Sequence, residues 1–281
     1  MKKNKFKIKT IDFRSDRADE DFIKSLKNSG FAILYNHGIS DDLINNIYKI
    51  WGHFFNSKVK HDYLFDKVKQ DGYFPMKSEN AKGFYLKDYK EFYHIYNNGK
   101  IPDKLKTETL QIKRMLKNIS SVLLKWIDKL SPIEVKKRFS VPLNQMAKNG
   151  ENDLLRIIHY PPIGKDIELG SIRAAAHEDI NLITILISGS QPGLQVKIKE
   201  NQWVDVKSDP GWLIINIGDM LQECSGGYYP STTHRVINPK GPNISRYSIP
   251  LFIHPSDEVI LSEKHTAKSY LEERLLELGL K

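Results

Sequence analysis

Arg173-Ala174-Ala175-Ala176-His177-Glu178-Asp179 is the stretch on which the reading of this chain turns. His177 and Asp179 are two residues apart. On an extended backbone, side chains at i and i+2 point to the same face, so an imidazole nitrogen and a carboxylate oxygen converge there. A second neutral imidazole from elsewhere in the fold would complete a three-donor face. Two histidines and one carboxylate on one face of an octahedral metal suit Fe(II) and leave the opposite face open. His234, in Thr233-His234-Arg235-Val236, is the candidate for that second imidazole.

The surroundings of this stretch give the fold class. From about residue 150 onward, short apolar runs alternate with turn signals: Leu154–Tyr160, Ile172–Ala176, Leu182–Ile187, Leu194–Ile198, Trp203–Val206, Trp212–Ile217, Thr233–Ile237 and Ser245–Ile253. Pro161-Pro162, Asp209-Pro210-Gly211, Gly226-Gly227 and Gly241-Pro242 lie between them. Short strands at this spacing predict a sandwich or jelly roll. A closing helix is expected from about Thr266 to Leu278, with Gly279 as its stop.

The first half has a different texture. After a short strand at residues 8–12, a helix is predicted from about Asp19 to Lys27 and stops at Gly30. Phe31–Tyr35 reads as a buried strand and Asn36-His37-Gly38 as a turn. Ser40 caps the next helix, whose apolar face carries Ile44, Ile47, Trp51, Phe54 and Phe55. Residues 58–100 read as irregular and aromatic, interrupted at Gly72, Gly83 and Gly99, with Phe84 among the aromatics. Such a segment either packs on the body or covers a pocket mouth. A long helix follows, from about Lys104 to Leu130. Ser131-Pro132-Ile133-Glu134 predicts a capping box at the start of another. The expected organisation is a largely helical region over 1–145 and a jelly-roll core with a C-terminal helix over 146–281.

Composition narrows the setting. The chain has 281 residues, 40% hydrophobic and 27% charged, as in ordinary globular proteins. No run approaches the roughly 18 apolar residues of a membrane span. The N-terminus is basic but lacks the apolar stretch of a signal peptide. One cysteine, Cys224, excludes an internal disulfide and suits a reducing compartment, so a cytoplasmic location is expected. The net charge is +9, but the lysines are spread among acidic neighbours. That is a solvated surface rather than a nucleic-acid groove. The oligomeric state is open.

Two further features support a metal site with an acidic co-substrate. Arg246 and Ser248 share a face of the last strand, and a guanidinium fork beside a hydroxyl suits a carboxylate. Tyr160, at the end of its strand, offers one more hydrogen bond. His37, His159, Glu178 and Asp219 read as structural or outward-facing. Asn216 is a weaker candidate for the pocket wall, and Arg235 is not assigned.

Taken together, His177-Glu178-Asp179, His234 and Arg246-Tyr247-Ser248 resemble the His-x-Asp…His…Arg-x-Ser signature of 2-oxoglutarate/Fe(II)-dependent dioxygenases of the isopenicillin N synthase-like class. The phrases at 30–39, Gly193-Leu194-Gln195-Val196 and Asn216-Ile217-Gly218-Asp219-Met220 are similar to that class too. The resemblance covers roughly residues 6–256. It implies a double-stranded β-helix behind a helical N-terminal region. It implies that His177, Asp179 and His234 bind Fe(II), and that Arg246, Ser248 and Tyr160 hold 2-oxoglutarate. Members often carry Asn two residues before that tyrosine; Ile158 stands there and is left out of the site. The implied activity consumes O2 and 2-oxoglutarate, gives succinate and CO2, and oxidises, usually hydroxylates, a small organic substrate. Ethylene-forming or ring-closing oxidation is the nearest alternative. A nucleic-acid demethylase or a non-catalytic ligand-binding protein follows behind.

Overall fold

A computed structural model describes residues 8–80, 85–165, 167–199 and 202–277. The expected Gly83, Phe84 and Gly279 features lie outside these residues.

In chain order the elements are β1 Thr10–Asp12, α1 Ala18–Ser29, β2 Phe31–Tyr35 and α2 Asp41–Phe55. A 3-10 turn at Lys58–Tyr63 leads to β3 Gly72–Phe74 and β4 Glu91–Ile95. Then come α3 Asp103–Leu130, α4 Ile133–Lys136 and α5 Leu143–Met146. The second half holds β5 Leu154–Tyr160, β6 Ala174–His177, β7 Ile183–Ile187, β8 Leu194–Lys199 and β9 Gln202–Asp205. It continues with β10 Leu213–Ile217, α6 Asp219–Cys224, β11 His234–Val236, β12 Arg246–Ile253 and α7 Ala267–Glu277.

The strands form two sheets. One has the order β1-β2-β10-β7-β12-β5-β4-β3, and the other β6-β11-β8-β9. Period-2 alternation decides which residues face which layer. Leu213, Ile215 and Ile217 of β10, Ile183, Ile185 and Ile187 of β7, and Ile249, Leu251 and Ile253 of β12 face the helices. They pack in one core with Ile44, Ile47 and Trp51 of α2 and with Ile112, Leu116 and Leu123 of α3. Trp51 Nε1 donates to Thr109 Oγ1 at 3.0 Å, which fixes α2 against α3 without an unsatisfied buried donor.

The alternate residues point between the sheets. Ile33, Ile214, Ile158, Tyr160 and Phe92 from the large sheet meet Leu194, Val196 and Val236 from the small one. This second apolar cluster is the interior of the double-stranded β-helix. It shares that interior with the polar residues of the site.

Local signals account for most boundaries. Gly30 ends α1 with φ 69°, a left-handed conformation open to glycine at little cost. A Cβ there would also collide with the Thr232 hydroxyl, so the glycine lets the chain approaching β11 pass close by. Ser40 caps α2 by accepting from the Leu43 amide at 3.3 Å.

Two expectations need correction. The segment 58–100 is not irregular throughout, because β3 and β4 extend the large sheet through the pairing of β4 with β5. All five residues of β4 are buried, so no polar–apolar alternation marks it in the sequence. The capping box at Ser131 does not form. The Ser131 hydroxyl bonds back to the Ile127 carbonyl at 2.6 Å and to the Tyr229 hydroxyl at 2.8 Å. Pro132 occupies the cap position of α4 without a side-chain bond.

Candidate metal and co-substrate site

β6 and β11 run antiparallel, with His177 and His234 directly opposed. Their ring centroids are 4.4 Å apart. β6 ends at His177, and Asp179 lies just beyond it in the turn towards β7. The carboxylate still returns to the two rings. Asp179 Oδ1 is 3.8 Å from Nε2 of His177 and 3.8 Å from Nε2 of His234. One donor atom from each of the three residues lies within 4.8 Å of the others.

The backs of these groups are already committed. His177 Nδ1 faces the Ala175 carbonyl at 2.8 Å, and His234 Nδ1 faces the Thr232 carbonyl at 3.1 Å. A carbonyl only accepts, so each Nδ1 carries the proton and each Nε2 presents a lone pair. Asp179 Oδ2 accepts from Thr184 Oγ1 at 2.6 Å and from Asn216 Nδ2 at 2.8 Å. Oδ1 is left for the imidazoles. At 3.8 Å the three groups do not hydrogen-bond to one another. They face a common point as neutral N, neutral N and O⁻, the donor set of an Fe(II) facial triad. A small inward movement brings all three within bonding reach of one cation. Backing bonds of this kind fix ligand orientation and tautomer.

Electrostatics agrees with this arrangement. Burial and the neighbouring His234 hold the His177 imidazole below its usual pKa, in the neutral form a metal needs. Burial by itself would raise the Asp179 carboxyl. The two imidazoles and the hydrogen bonds from Thr184 and Asn216 outweigh it and keep the group ionised. Asp179 and His234 are buried, whereas the His177 side chain is 35% exposed, so the triad opens to solvent on the His177 side.

Arg246 and Ser248 are both buried on the inner face of β12. Tyr247 between them turns outward and stacks on His159 at 4.8 Å. Arg246 pairs with Tyr160 across β12 and β5, with its guanidinium carbon 5.1 Å from the tyrosine ring centre. Its Nε donates to the Gln191 carbonyl at 3.0 Å, and its Nη1 is buried without a partner. A Cβ at Gly189 would run into the guanidinium, so only a glycine admits it there. A buried charged donor with an open hydrogen position fits an incoming carboxylate.

Ile158 faces the interior beside Tyr160 and adds no polar contact. His159 faces the helices, bonded to Glu91 Oε1 at 2.8 Å and Ser245 Oγ at 3.0 Å. His37 holds the Gly211 carbonyl at 2.7 Å. Glu178 points away and accepts from the Thr233 hydroxyl. Asp219 opens α6. Arg235 lies over the Trp203 ring at 4.0 Å and donates to Gln195.

Sequence reasoning missed Thr184. Its signal is a lone hydroxyl at the interior phase of the run Ile183-Thr184-Ile185-Leu186-Ile187. It also missed the ion network beside the triad. Lys90 binds Asp88 at 2.9 Å and Glu79 at 2.7 Å, and Glu79 also takes Arg156 at 2.9 Å. The other Asp88 oxygen accepts the Ala175 amide at 2.9 Å and so anchors the strand that carries His177.

With this geometry in place, comparison with known proteins becomes specific. Residues 151–255 match the model of the 2OG-Fe(II) oxygenase superfamily. Residues 8–118 match the N-terminal model of the non-haem dioxygenases in morphine synthesis. A Shewanella oneidensis protein assigned as an oxygenase has a crystal structure that superposes with TM-score 0.89 and 50% identity, over 98% of this chain and 100% of that one. The chain belongs to the 2-oxoglutarate/Fe(II) oxygenase superfamily. The 1-aminocyclopropane-1-carboxylate oxidase of Dictyostelium mucoroides is 27% identical, over 83% of this chain and 75% of its own. A full-length Neurospora crassa protein, solved in complex with alpha-KG, shares the fold at 23% identity, with TM-score 0.77 over 96% and 95% of the two chains.

Members of this superfamily use Fe(II), 2-oxoglutarate and O2, and the chain is an oxidoreductase of that kind. The jelly-roll core and the helices before it match the expectation from sequence. No helix among the described residues is long and apolar enough to cross a membrane.

Proposed function

We propose that the chain couples oxidative decarboxylation of 2-oxoglutarate to oxidation of a small organic molecule, with His177, Asp179 and His234 as Fe(II) ligands. The observation that carries this reading is the matched commitment of the three donors. Every back-side atom is hydrogen-bonded and every front-side atom faces one point. When bound, the iron supplies the site for O2 and the keto acid and the oxidising power of the reaction.

The chain's own residues do the rest. Asn216 and Thr184 orient Asp179, and the Ala175 and Thr232 carbonyls set the imidazole tautomers. Arg246, Ser248 and Tyr160 take the distal carboxylate of the co-substrate and so fix which end of it meets the metal. The apolar interior formed by Ile33, Phe92, Ile158, Leu194 and Val196 keeps water from the reacting groups. The substrate enters from the exposed His177 side, beside the Lys90 network.

A small molecule rather than a nucleic acid is the proposed substrate, because the lysines and arginines behind the +9 charge are spread along the sequence among acidic neighbours, with no long basic block beyond the first nine residues. A reducing, cytoplasmic setting fits the buried lone thiol. The test is succinate and CO2 release from 2-oxoglutarate by iron-loaded protein across a panel of small organic acids, amines and phenolics. His177→Ala is expected to abolish it, and undiminished turnover in that variant would remove the proposal.

A further inference from the structure

Arg173 precedes β6 and is 1% exposed, one of the largest fully buried side chains among the described residues. Its amide donates to Asn238 Oδ1 at 3.1 Å. Its Nη2 donates to the carbonyl of Ile244, two residues ahead of Arg246, at 2.8 Å. Its Nε is buried with no partner. Arg246 is 2% exposed and has its own unpartnered Nη1. The Ile244 bond holds the Arg173 guanidinium beside the segment that leads into Arg246, which pairs with Tyr160 across β12 and β5. Burial and then the charge of Arg246 hold the Arg173 guanidinium below its usual pKa.

No carboxylate among the described residues balances either one. The adjacent cations are different: Lys90 has Glu79 and Asp88, and Arg156 has Glu79. That network is neutral in sum, so it leaves no spare carboxylate for Arg173 or Arg246. Two like charges taken out of water without a counter-ion are costly. A structural role needs only the side-chain bond from Nη2 to the Ile244 carbonyl, since the amide's bond to Asn238 is open to any residue. It does not need a charge beside Arg246 or an open Nε. An anion seated against the pair removes the repulsion and fills both open donor positions.

We propose that Arg173 is a second cationic binding residue for the distal carboxylate of 2-oxoglutarate, shared with Arg246, and that the paired guanidiniums enforce a dicarboxylate co-substrate. This rests on the co-substrate reading above. It adds a residue outside the His-x-Asp…His…Arg-x-Ser signature, and it explains why that residue carries charge.

The test is equilibrium binding, which needs no turnover. Anaerobic calorimetry of the Fe(II)-loaded protein compares 2-oxoglutarate with 2-oxopentanoate, which has a methyl group in place of the distal carboxylate. Arg173→Met is expected to weaken 2-oxoglutarate by about 10- to 100-fold, the usual worth of a charged hydrogen bond, and to leave 2-oxopentanoate within about twofold. Arg173→Lys, which keeps the charge but loses the fork, is expected to fall between wild type and Met. It also decides the matter if the Met variant does not fold. Equal weakening of both ligands would mean a purely structural arginine and overturn the inference, as would unchanged 2-oxoglutarate affinity. If Arg246→Met alone loses 2-oxoglutarate, the inference falls and the co-substrate reading stands. If wild type does not prefer 2-oxoglutarate over 2-oxopentanoate, both fall.

Discussion

Asn216 donates from Nδ2 to Oδ2 of Asp179 at 2.8 Å, and this bond helps decide which carboxylate oxygen faces the imidazoles. Thr184 adds the second bond to the same oxygen at 2.6 Å. Without Asn216 only the Thr184 bond holds Oδ2, and the carboxylate is less firmly kept from presenting its other oxygen. Asn216→Ala is therefore expected to lower Fe(II) affinity by about 10- to 100-fold, as losses behind a metal ligand generally do. Metal titration under anaerobic conditions measures it. Affinity equal to wild type would mean that Thr184 alone sets the geometry. Removing both is expected to cost less than the sum of the single losses, because the two act on one atom.

Asp88 links the ion network to β6, the strand that carries His177. One oxygen takes the Ala175 amide and the other takes Lys90. Asp88→Ala leaves a buried N–H without a partner and Lys90 with Glu79 alone. The expected loss is about 2–4 kcal/mol in urea unfolding, together with weaker iron binding, because β6 is no longer held at Ala175. Asp88→Asn keeps an acceptor and is expected to lose less. A variant with full stability and full iron affinity would show that β6 needs no such anchor.

How far the sequence shows these relationships depends on where their signals lie. The strands around the triad are legible because apolar runs and turn residues alternate there, and β5 matches its expected limits of Leu154–Tyr160. The His177 and Asp179 side chains do converge, to 3.8 Å, although Asp179 lies past the strand whose period-2 argument predicts it. The strands β3 and β4 are hidden because they are short, aromatic and buried on both faces, and β3 begins at a glycine. Thr184, Asp88 and Arg173 escape a sequence reading because each acts through a partner elsewhere in the fold. Asp88 and Ala175 are 87 positions apart. Ser131 misleads in the opposite way: a correct local pattern loses to a tertiary bond with Tyr229.

Lys113 of α3 is buried and donates to the Ile95 carbonyl at 3.1 Å. Burial lowers its ammonium to about 8. At pH 7 it is charged in both the folded and the unfolded chain, and the folded state bears the desolvation cost. Between about 8 and 10.5 the unfolded chain holds more protons, so stability rises with pH in that window. Relative to Lys113→Met, wild type is expected to gain about 2 kcal/mol between pH 7 and about pH 10.5. Urea unfolding of both proteins at the two pH values gives the comparison. Parallel pH dependence in the two would contradict the shift.

Cys224 is fully buried in α6, and burial pushes its thiol up to about 12. The thiolate is the reactive form. Native protein at about pH 8 is expected to react with a disulfide reagent only as fast as it opens, and to label fully in urea. Immediate labelling of the native chain would mean a thiol in contact with solvent.

The central claim is that His177, Asp179 and His234 hold one Fe(II) whose open face takes 2-oxoglutarate. Anaerobic titration with Fe(II) and then 2-oxoglutarate, followed by visible absorption, tests it most directly. The account predicts a charge-transfer band that needs both components and is lost in Asp179→Ala. Protein that binds no iron, or a band that survives removal of Asp179, would contradict it.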